Sequence, residues 1–455
     1  MSKQTLSSVF FLGIGGIGMS SLARWYKAQG LQVSGYDKTE TPLTRALAEE
    51  GIPISYNWEV PSGLEQVDQI VFTPAVPKDH PVFELARQKN IPLLKRAAVL
   101  GQISRLMPAL AVAGTHGKTS VTAVLSVLLQ ESGLSPLAFI GGVVKRYQSN
   151  FLNGTGRWMI AEADEFDRSF LQLSPQSALI TAIDPDHLDV YGNAEAFTEG
   201  FRDFTKTLSS DGYLVLDEHL RSFGDSLSHN KIIYYGIGAQ ADVQITEEKH
   251  EGLLSTFTYT WGDCVIPNLR LSVPGHHNVC NAAGAITLAL IAGVRPEQIS
   301  PALSCFTGVA RRMDIRVQAN NVVYIDDYAH HPEEIRAVLT AVRELFPGVY
   351  LRVAFQPHLY TRTRDFASGF GQALEMADEV LIADIYPARE SSIEGVTSHL
   401  IADHMKTVPV RVCAKEQVPQ LLMQELPSPS VVMTLGAGDI DRCVSEVERL
   451  IQKVA

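Results

Sequence analysis

Short apolar runs alternate with stretches of helical periodicity along most of the chain. Near the start, predicted strands occupy residues 9–12, 32–36 and 69–72. The segments between them, 18–29 and 43–50, have the spacing of amphipathic helices. Strands that alternate with helices form parallel sheets, because each helix returns the chain to the same end of the sheet. The N-terminal part is therefore predicted to be a parallel sheet with helices on both faces.

A second and a third region repeat this alternation. The second opens with a predicted strand at 109–113 and a predicted helix at 118–131, and a stretch rich in Thr, Tyr and Val at 242–273 favours antiparallel β structure. Apolar runs of strand length in the third region lie at 322–325, 350–354, 380–383 and 431–435. We therefore expect three α/β domains, which span residues 1–108, 109–312 and 313–455.

Composition and charge exclude several classes of protein. A chain of 455 residues is too long for one hydrophobic core, and its 45% of apolar residues is ordinary for folded domains. The formal net charge of −12 argues against nucleic-acid binding, which needs a positive surface. With no run of 18 apolar residues and no secretory signal pattern, the protein is expected to be cytoplasmic, without a membrane partner. The five cysteines form no CxxC pair, which disfavours a zinc site.

The first glycine-rich segment follows a predicted strand and opens a predicted helix. It consists of Gly13, Ile14, Gly15, Gly16, Ile17 and Gly18. Glycines let the chain turn tightly and let a phosphate approach the backbone, and the helix N-terminus adds free N–H groups. Asp37 follows the second strand, where a carboxylate can bond a ribose hydroxyl. Taken alone, this pattern indicates a nicotinamide dinucleotide site; the alternative is a tight turn without a ligand.

The second glycine-rich segment has the parts of an ATP-binding loop. It consists of Gly114, Thr115, His116, Gly117, Lys118, Thr119 and Ser120. Val112 stands where the common GxxxxGK[ST] pattern has its first glycine. The backbone around Gly117 can still wrap a phosphate, Lys118 can reach the β- and γ-phosphates, and the Thr119 hydroxyl can ligate Mg²⁺. We therefore predict that this segment binds ATP together with Mg²⁺.

Two further candidates for the metal follow later strands. Glu162 and His187 each come after an apolar run of strand length. Because ligands collect at the carboxyl ends of parallel strands, both side chains are expected to face the Lys118 loop. A glutamate suits Mg²⁺, whereas a histidine is less usual because Mg²⁺ prefers oxygen ligands. The alternative is that Glu162 pairs locally and that His187 bonds the backbone.

Seven segments of the chain, in order, resemble the motifs of the Mur ligases. They are AGTHGKTS, EADEFDRSFL, AIDPDHLD, GHHNVCNAAGA, GVARRMD, DDYAHHPEEI and FQPHLYTRTRDF. With the first glycine loop included, the resemblance runs from about residue 9 to residue 438, nearly the whole chain. Within the family, the motifs are most similar to those of the members that add the first alanine.

The resemblance implies a three-domain α/β architecture. The N-terminal domain is Rossmann-like and binds a UDP-sugar, the central domain is a P-loop ATPase, and the C-terminal domain is Rossmann-like and binds the amino acid. The loop at 13–18 and Asp37 are thereby assigned to the UDP-sugar rather than to a nicotinamide. The domain that carries Lys118 is assigned to ATP.

The resemblance also implies roles for individual residues. The implied metal ligands are Thr119, Glu162 and His187. The implied ATP site adds Asn278, Asn281, Arg312 and Asp327 to the loop at 114–120. The implied alanine pocket consists of Tyr328, His358 and Arg362. The implied catalytic residues are Lys118, Arg312, His187 and His330, with the two histidines as the candidate bases.

The implied reaction is the ATP-dependent ligation of L-alanine to the carboxylate of UDP-N-acetylmuramate through an acyl phosphate, in peptidoglycan precursor synthesis. The enzyme is expected to be a monomer or a homodimer that acts on small molecules. Residues 191–202 contain no lysine, whereas relatives that add later amino acids carry a carbamylated lysine there. Leu359 stands where many alanine-adding relatives have a second arginine, and Arg364 or Arg389 can compensate.

Three alternatives stay open from the sequence. A murein tripeptide ligase uses the same UDP-sugar and has a similar N-terminus. A nicotinamide-dependent dehydrogenase explains the loop at 13–18 but leaves Lys118, Glu162 and His187 without a role. A P-loop regulatory protein explains ATP binding but not the histidine-rich third region.

Overall fold

The computed structural model describes residues 6–186, 188–229, 231–388 and 390–453. Over these residues the chain forms two compact units. The first holds the chain up to Thr246 together with Tyr259–Pro267 and Asn281–Phe306; the second holds Glu247–Thr258, Asn268–Cys280 and the chain from Thr307 onward. Within the described ranges, no helix is both long and apolar enough to cross a lipid bilayer.

The N-terminal part of the first unit alternates strands with helices. Its elements are β1 (Ser8–Leu12), α1 (Ile17–Ala28), β2 (Gln32–Tyr36), α2 (Pro42–Glu49), β3 (Ile54–Ser55), β4 (Gln69–Phe72), α3 (Pro81–Lys89), β5 (Leu93–Lys95) and α4 (Arg96–Ser104). All five strands are parallel, in the order β3-β2-β1-β4-β5. The direction of winding reverses between β1 and β4, and the loop at 13–18 leaves β1 at this reversal, where ligands bind in open α/β sheets.

A ten-stranded sheet follows. Its strands and associated helices are β6 (Ala109–Ala113), α5 (Lys118–Glu131), β7 (Leu137–Val144), β8 (Ser149–Asn153), β9 (Met159–Glu162), β10 (Ser177–Ile180), α6 (Leu188–Tyr191), α7 (Ala194–Thr205), β11 (Leu214–Asp217), α8 (Arg221–Gly224), β12 (Ile232–Gly236), β13 (Val243–Glu251), β14 (Leu254–Trp261), β15 (Cys264–Leu271), α9 (His276–Ile291) and α10 (Pro296–Leu303). The strand order is β15-β14-β13-β12-β11-β10-β6-β9-β7-β8. β6 pairs in parallel with β10 and with β9, and all five of its small or apolar residues are buried. The strand that leads into the Lys118 loop is therefore fixed on both edges.

The C-terminal sheet belongs to the second unit. Its elements are β16 (Asp314–Ala319), β17 (Val322–Asp327), α11 (Pro332–Leu345), β18 (Tyr350–Phe355), α12 (Tyr360–Leu374), β19 (Glu379–Ala383), α13 (His399–Ala402), β20 (Val410–Cys413), α14 (Val418–Met423), β21 (Ser430–Leu435) and α15 (Val444–Lys453). The order is β16-β17-β21-β18-β19-β20, with β16 as an antiparallel edge strand on an otherwise parallel sheet. The carboxyl ends of β17 and β18 carry the residues expected to bind the amino acid.

The predicted α/β alternation is confirmed. The stretch at 242–273 forms the neighbouring strands β13, β14 and β15, joined by two-residue loops that require antiparallel pairing. The hairpin of β7 and β8 was not predicted. The sequence predicts further helices at 281–292 and 366–376, and the predicted start of each is wrong: α9 begins at His276 and α12 at Tyr360. Polar residues fill both first turns, so the apolar period that marks a helix is missing there.

Candidate active site

The Lys118 loop joins β6 to α5, and two of its positions require glycine. Gly114 has a φ of +126° and Gly117 a φ of +79°. A Cβ on Gly114 would lie 2.1 Å from Thr181 Oγ1, and one on Gly117 would lie 2.5 Å from Asn281 Oδ1. The predicted ATP-site residue Asn281 therefore lies against this loop.

Thr115 fastens the loop to the segment that follows β10. Its amide donates to the Ala182 carbonyl over 3.0 Å, and its hydroxyl donates to the Asp184 carbonyl over 3.0 Å. The Asp184 amide donates back to the Thr115 hydroxyl over 2.9 Å. His116 Nε2 lies 3.4 Å from a carboxylate oxygen of Asp184. The loop is thus held from outside as well as by its own turns.

Lys118 is held by its own loop and by a buried carboxylate. Its ammonium donates to the Gly114 carbonyl over 2.6 Å and to Glu165 Oε1 over 2.9 Å. Burial alone would lower the pKa of Lys118, but the negative charges of Glu165, Asp164 and Glu162 raise it above its ordinary value. Lys118 therefore stays a cation, as a phosphate-binding lysine must.

Glu165 was not assigned a role from the sequence. Its side chain is 2% exposed, and burial raises its pKa to about 7 although Lys118 opposes the shift. The Tyr191 hydroxyl donates to the Glu165 backbone carbonyl over 2.7 Å. The sequence feature that could have indicated Glu165 is its position three residues after Glu162, in an acidic segment that follows a central strand.

The predicted metal ligands meet the loop at the carboxyl edge of the sheet. Glu162 ends β9 and pairs in register with Val112 of β6, so its backbone lies beside the start of the loop. Its Oε1 accepts a hydrogen bond of 2.8 Å from the Gly141 amide. Thr119 is buried in the first turn of α5. His187 lies outside the described residues, within which no group of three or more His, Cys, Asp and Glu side chains is arranged as a metal site.

The first glycine loop directs its amides inward. The Gly13 and Ile14 amides both donate to the Tyr36 carbonyl, over 2.8 and 2.9 Å, and the Gly15 amide donates to Asp37 Oδ2 over 2.8 Å. Burial raises the pKa of Asp37, which the amides it accepts from partly offset. Asp37 stabilises the loop itself here, and its contact with a ribose stays a prediction.

Arg96 connects the first glycine loop to the acidic segment that follows β9, and sequence reasoning missed it. It is the first residue of α4, and its Nη1 lies 2.7 Å from where a Cβ on Gly18 would be. Its Nη2 donates to Asp164 Oδ2 over 2.8 Å. The next ion pair, between Lys95 and Asp167, also spans 2.8 Å. Gly18 and the acidic segment after β9 are thereby joined through a single guanidinium.

The predicted arginine and aspartate both lie at the start of the C-terminal sheet. The Arg312 guanidinium lies 5.1 Å from the centre of the Tyr328 ring. Asp327 is 2% exposed and accepts hydrogen bonds from the Met313 amide over 2.6 Å and the Ala329 amide over 2.7 Å. Burial raises the pKa of Asp327 to about 6, with Arg312 opposing the shift. In this structure, Asp327 holds the turn that follows Arg312; its contact with the ATP ribose stays a prediction.

The residues predicted for the alanine pocket come together. The Tyr328 and His330 ring centroids lie 5.2 Å apart, and those of His330 and His358 lie 6.0 Å apart. Arg362 Nη1 lies 3.5 Å from His358 Nδ1. His358 also stacks on Tyr386 at 5.7 Å, and Tyr386 is a member of the cluster that the sequence did not indicate.

His330 is oriented by two acceptors. Its Nδ1 lies 3.0 Å from the Tyr328 carbonyl oxygen and 3.2 Å from Glu334 Oε2. The Glu334 carboxylate also accepts a hydrogen bond of 3.0 Å from the His330 amide. The two contacts on Nδ1 therefore fix the orientation of the His330 ring.

Leu359, where the resemblance to the Mur ligases leads us to expect an arginine, has an unusual backbone. It is 3% exposed, has a φ of +71° and donates its amide to the Tyr386 carbonyl over 2.9 Å. Of the two cations that were candidates to compensate, Arg364 is half exposed and pairs with Asp365 over 2.7 Å. Arg389 lies outside the described residues.

The side chain of Asn278, which was predicted for the ATP site, bonds the backbone of a nearby residue. The Asn278 side chain is 8% exposed and donates to the Pro274 carbonyl over 2.6 Å. Its role in the second unit is to close the turn that opens α9, and its assignment to ATP stays a prediction.

Comparison with protein families covers most of the chain in three parts. Residues 8–107 match the family described as "Mur ligase family, catalytic domain", and residues 112–289 match "Mur ligase middle domain". Residues 311–438 match "Mur ligase, glutamate ligase domain".

Individual relatives match over their full length. UDP-N-acetylmuramate–L-alanine ligase of Cytophaga hutchinsonii is 40% identical, over 100% of this chain and 98% of its own. The crystal structure of UDP-N-acetylmuramate–alanine ligase from Thermotoga maritima superposes with a TM-score of 0.82 at 28% identity, and the match covers 98% of this chain and 100% of that one. A murein peptide ligase from Psychrobacter arcticus shares the fold, with a TM-score of 0.76 at 22% identity over 99% of both chains. This chain belongs to the Mur ligase family.

Proposed function

We propose that this chain joins L-alanine to the carboxylate of UDP-N-acetylmuramate at the expense of ATP, in peptidoglycan precursor synthesis. The observation that carries the conclusion is the 40% identity, over the full length of both chains, to a ligase of that name. The enzyme acts in the cytoplasm on small molecules, as a monomer or a homodimer. Its three domains span residues 1–108, 109–312 and 313–455.

The first chemical step activates the carboxylate. A carboxylate is a poor electrophile, because its charge repels an amine and oxide is a poor leaving group. Transfer of the γ-phosphoryl group of ATP converts it to an acyl phosphate with phosphate as the leaving group. The transfer needs positioning and charge neutralisation, which the half-buried Lys118 cation supplies and Arg312 completes. A phosphate takes the place of the Gly114 carbonyl as the partner of Lys118.

The residues near the loop fit a magnesium ion. Mg²⁺ prefers oxygen ligands and keeps several waters, and the Thr119 hydroxyl and Glu162 carboxylate are oxygen donors on neighbouring elements of one sheet edge. His187 is the third proposed ligand. When bound, the ion neutralises charge on the phosphates of ATP.

The second step forms the amide bond. The amine of alanine attacks the acyl carbon, the bond to phosphate breaks, and one proton leaves the nitrogen. Arg362 binds the free carboxylate of alanine, and His330, oriented by Tyr328 and Glu334, accepts the proton. The Gly13–Gly18 loop holds the UDP moiety, and Asn278, Asn281 and Asp327 complete the nucleotide site.

The direct test is phosphate release from ATP and Mg²⁺ in the presence of UDP-N-acetylmuramate. Alanine, glycine, serine and the cell-wall tripeptide are compared as amine donors, and mass spectrometry identifies the product. We expect alanine to give the highest kcat/KM and a product heavier than the UDP-sugar by one alanyl residue. A preference for the tripeptide would assign the chain to peptide recycling. Phosphate release that needs no amine would contradict ligation.

A further inference from the structure

A cysteine, two histidines and a glutamate form a connected cluster in the second unit, apart from the residues assigned above. Cys280 Sγ lies 3.4 Å from His276 Nε2, and His276 Nδ1 lies 2.7 Å from Glu248 Oε2. Glu248 Oε1 lies 2.9 Å from His250 Nε2, and His250 Nδ1 lies 2.9 Å from Ser255 Oγ. We name Cys280, His276 and Glu248 the thiol triad.

Local structure explains how the triad assembles. His276 is the first residue of α9, and Cys280 follows four positions later, so both side chains share one face of the helix. Glu248 and His250 are two positions apart on β13 and therefore lie on the same face of the strand. The Glu248 side chain is 18% exposed, whereas that of His276 is 49% exposed. The carboxylate is thus sheltered, and the imidazole is open to solvent.

The triad has the order of groups that activates a nucleophile. Glu248 orients the imidazole, which leaves its other nitrogen facing the thiol. The contacts with Cys280 and Glu248 raise the pKa of His276 to about 10. An imidazolium beside a sulfur stabilises the thiolate, which is the reactive form of cysteine.

The other cysteines have different surroundings. Cys413 and Cys443 are buried, and burial raises the pKa of both thiols. Cys264 is half-buried like Cys280, and burial raises its pKa as well. Cys305 directs its sulfur to the Pro301 carbonyl over 3.5 Å. Cys264 therefore serves as the matched comparison for Cys280.

We propose that Cys280 is a modification site that exchanges with low-molecular-weight disulfides. The Cys280 thiol releases its proton to solvent, and the thiolate, held beside the His276 imidazolium, attacks one sulfur of the disulfide. A bond forms between Cys280 and that sulfur, the original S–S bond breaks, and the departing sulfur takes up a proton and leaves as a thiol. Cys280 is oxidised and the small disulfide is reduced, so no further oxidant is needed.

Modification of Cys280 changes ATP binding, an extension that rests on the proposed function. The next residue, Asn281, lies against Gly117 of the Lys118 loop, with its Oδ1 where a Cβ on Gly117 would clash. A bulky group on the preceding residue displaces the helical turn that carries Asn281. The modified enzyme therefore has a higher KM for ATP.

The test uses oxidised glutathione on the full chain near neutral pH, with the mixed disulfide quantified at each cysteine by peptide mass spectrometry. We expect Cys280 to react roughly tenfold faster than Cys264 in the same molecule. His276→Gln and Glu248→Gln should bring Cys280 down to the rate of Cys264, whereas His219→Gln, at an exposed histidine elsewhere, should not. Equal rates at Cys280 and Cys264 in the unaltered chain, or a fast Cys280 in His276→Gln, overturn the proposal.

The effect on ATP is measured separately. Glutathione treatment should raise the KM for ATP several-fold in the unaltered chain and leave that of Cys280→Ser unchanged. A modified Cys280 with an unchanged KM refutes the extension to ATP. Because labelling is scored without an activity assay, an error in the proposed ligase reaction leaves the test of the modification site intact.

Discussion

The ammonium of Lys118 lies 2.9 Å from Glu165 Oε1, and the Glu165 side chain is 2% exposed. This pair holds the lysine under its loop before a nucleotide arrives. An incoming phosphate therefore has only to displace the Gly114 carbonyl, and the lysine does not have to be stripped of bulk water first. Two predictions concern the two members of this pair.

Replacement of Lys118 by alanine should abolish ligation and leave binding of the UDP-sugar largely intact. Loss of a cation that clamps the transferring phosphoryl group lowers the rate by roughly a hundredfold or more. Turnover is measured by phosphate release, and UDP-sugar binding by calorimetry. Lys145→Ala, at another lysine of the same unit, serves as the control. Near-normal turnover of Lys118→Ala would refute the ATP assignment.

Stability should depend on pH through Glu165. Its pKa is raised from 4.5 to about 7, so between these values the folded chain binds a proton that the unfolded chain has released. The contribution of this group to stability is therefore greatest at the acid end and falls as the pH rises through about 7. The Tm advantage of the unaltered chain over Glu165→Gln should shrink from pH 5 to pH 7. If the difference in Tm between the two proteins does not change with pH, Glu165 is not the group that binds the proton. Glu199→Gln, at a surface position, is the control.

Replacement of Glu162 by glutamine should raise the Mg²⁺ concentration required for half-maximal turnover. An amide is a weaker ligand than a carboxylate, and one negative charge is lost beside the ion. The measurement is a Mg²⁺ titration of phosphate release at saturating ATP. Glu65→Gln, far along the chain from the loop, should leave the titration unchanged. If Glu162→Gln behaves like Glu65→Gln, the carboxylate serves only to hold the Gly141 amide.

Replacement of Arg362 by alanine should raise the KM for alanine at least tenfold, because a charge-assisted hydrogen bond to a carboxylate contributes about 1.5–3 kcal/mol. The constants for ATP and the UDP-sugar should change little. Arg364→Ala is the matched control, since Arg364 is on the same helix but half exposed and paired with Asp365. Equal effects on all three constants would show that the alanine pocket lies elsewhere.

Asn150 should contribute to stability out of proportion to its size. It is fully buried on β8, and its amide donates to the Ile17 carbonyl over 2.6 Å and to Ser20 Oγ over 3.0 Å, while its oxygen accepts from Arg24. Alanine there removes all three hydrogen bonds, each of which contributes about 0.5–1.5 kcal/mol. Asn150→Ala should lower the Tm by several degrees, and exposed Asn153→Ala should not. Equal Tm values would show that water replaces the asparagine.

The sequence predicted the elements whose signal is local. Strands β2, β4 and β6 and helix α5 have the predicted bounds, because glycines or polar residues mark the places where these elements end. The residues proposed for the alanine pocket were predicted from motifs alone, and their side chains lie close together. His358 lies just before α12 and Arg362 lies in its first turn, so one short motif contains both residues.

The contacts that the sequence did not indicate join residues far apart in the chain. Arg96 meets Asp164, Asn150 meets Ile17, and Tyr386 stacks on His358. The spacing of such residues in the sequence does not indicate which residue each one contacts. The contact depends on the order of the strands in the sheet and not on the local hydrophobic periodicity. Glu165 was overlooked for a different reason: one acidic residue in a run of three cannot be told from its neighbours until burial distinguishes it.

The pairing of β6 with β10 on one edge and β9 on the other also affects how the enzyme loses nucleotide binding on unfolding. Thr115 extends this pairing past the end of the strand through Ala182. The backbone amides that lead into the loop therefore exchange with solvent only when the sheet itself opens, unlike those of a loosely tethered binding loop. On heating, nucleotide binding is therefore lost together with the central sheet. The fraction of enzyme that still binds nucleotide then measures the fraction in which this sheet is folded.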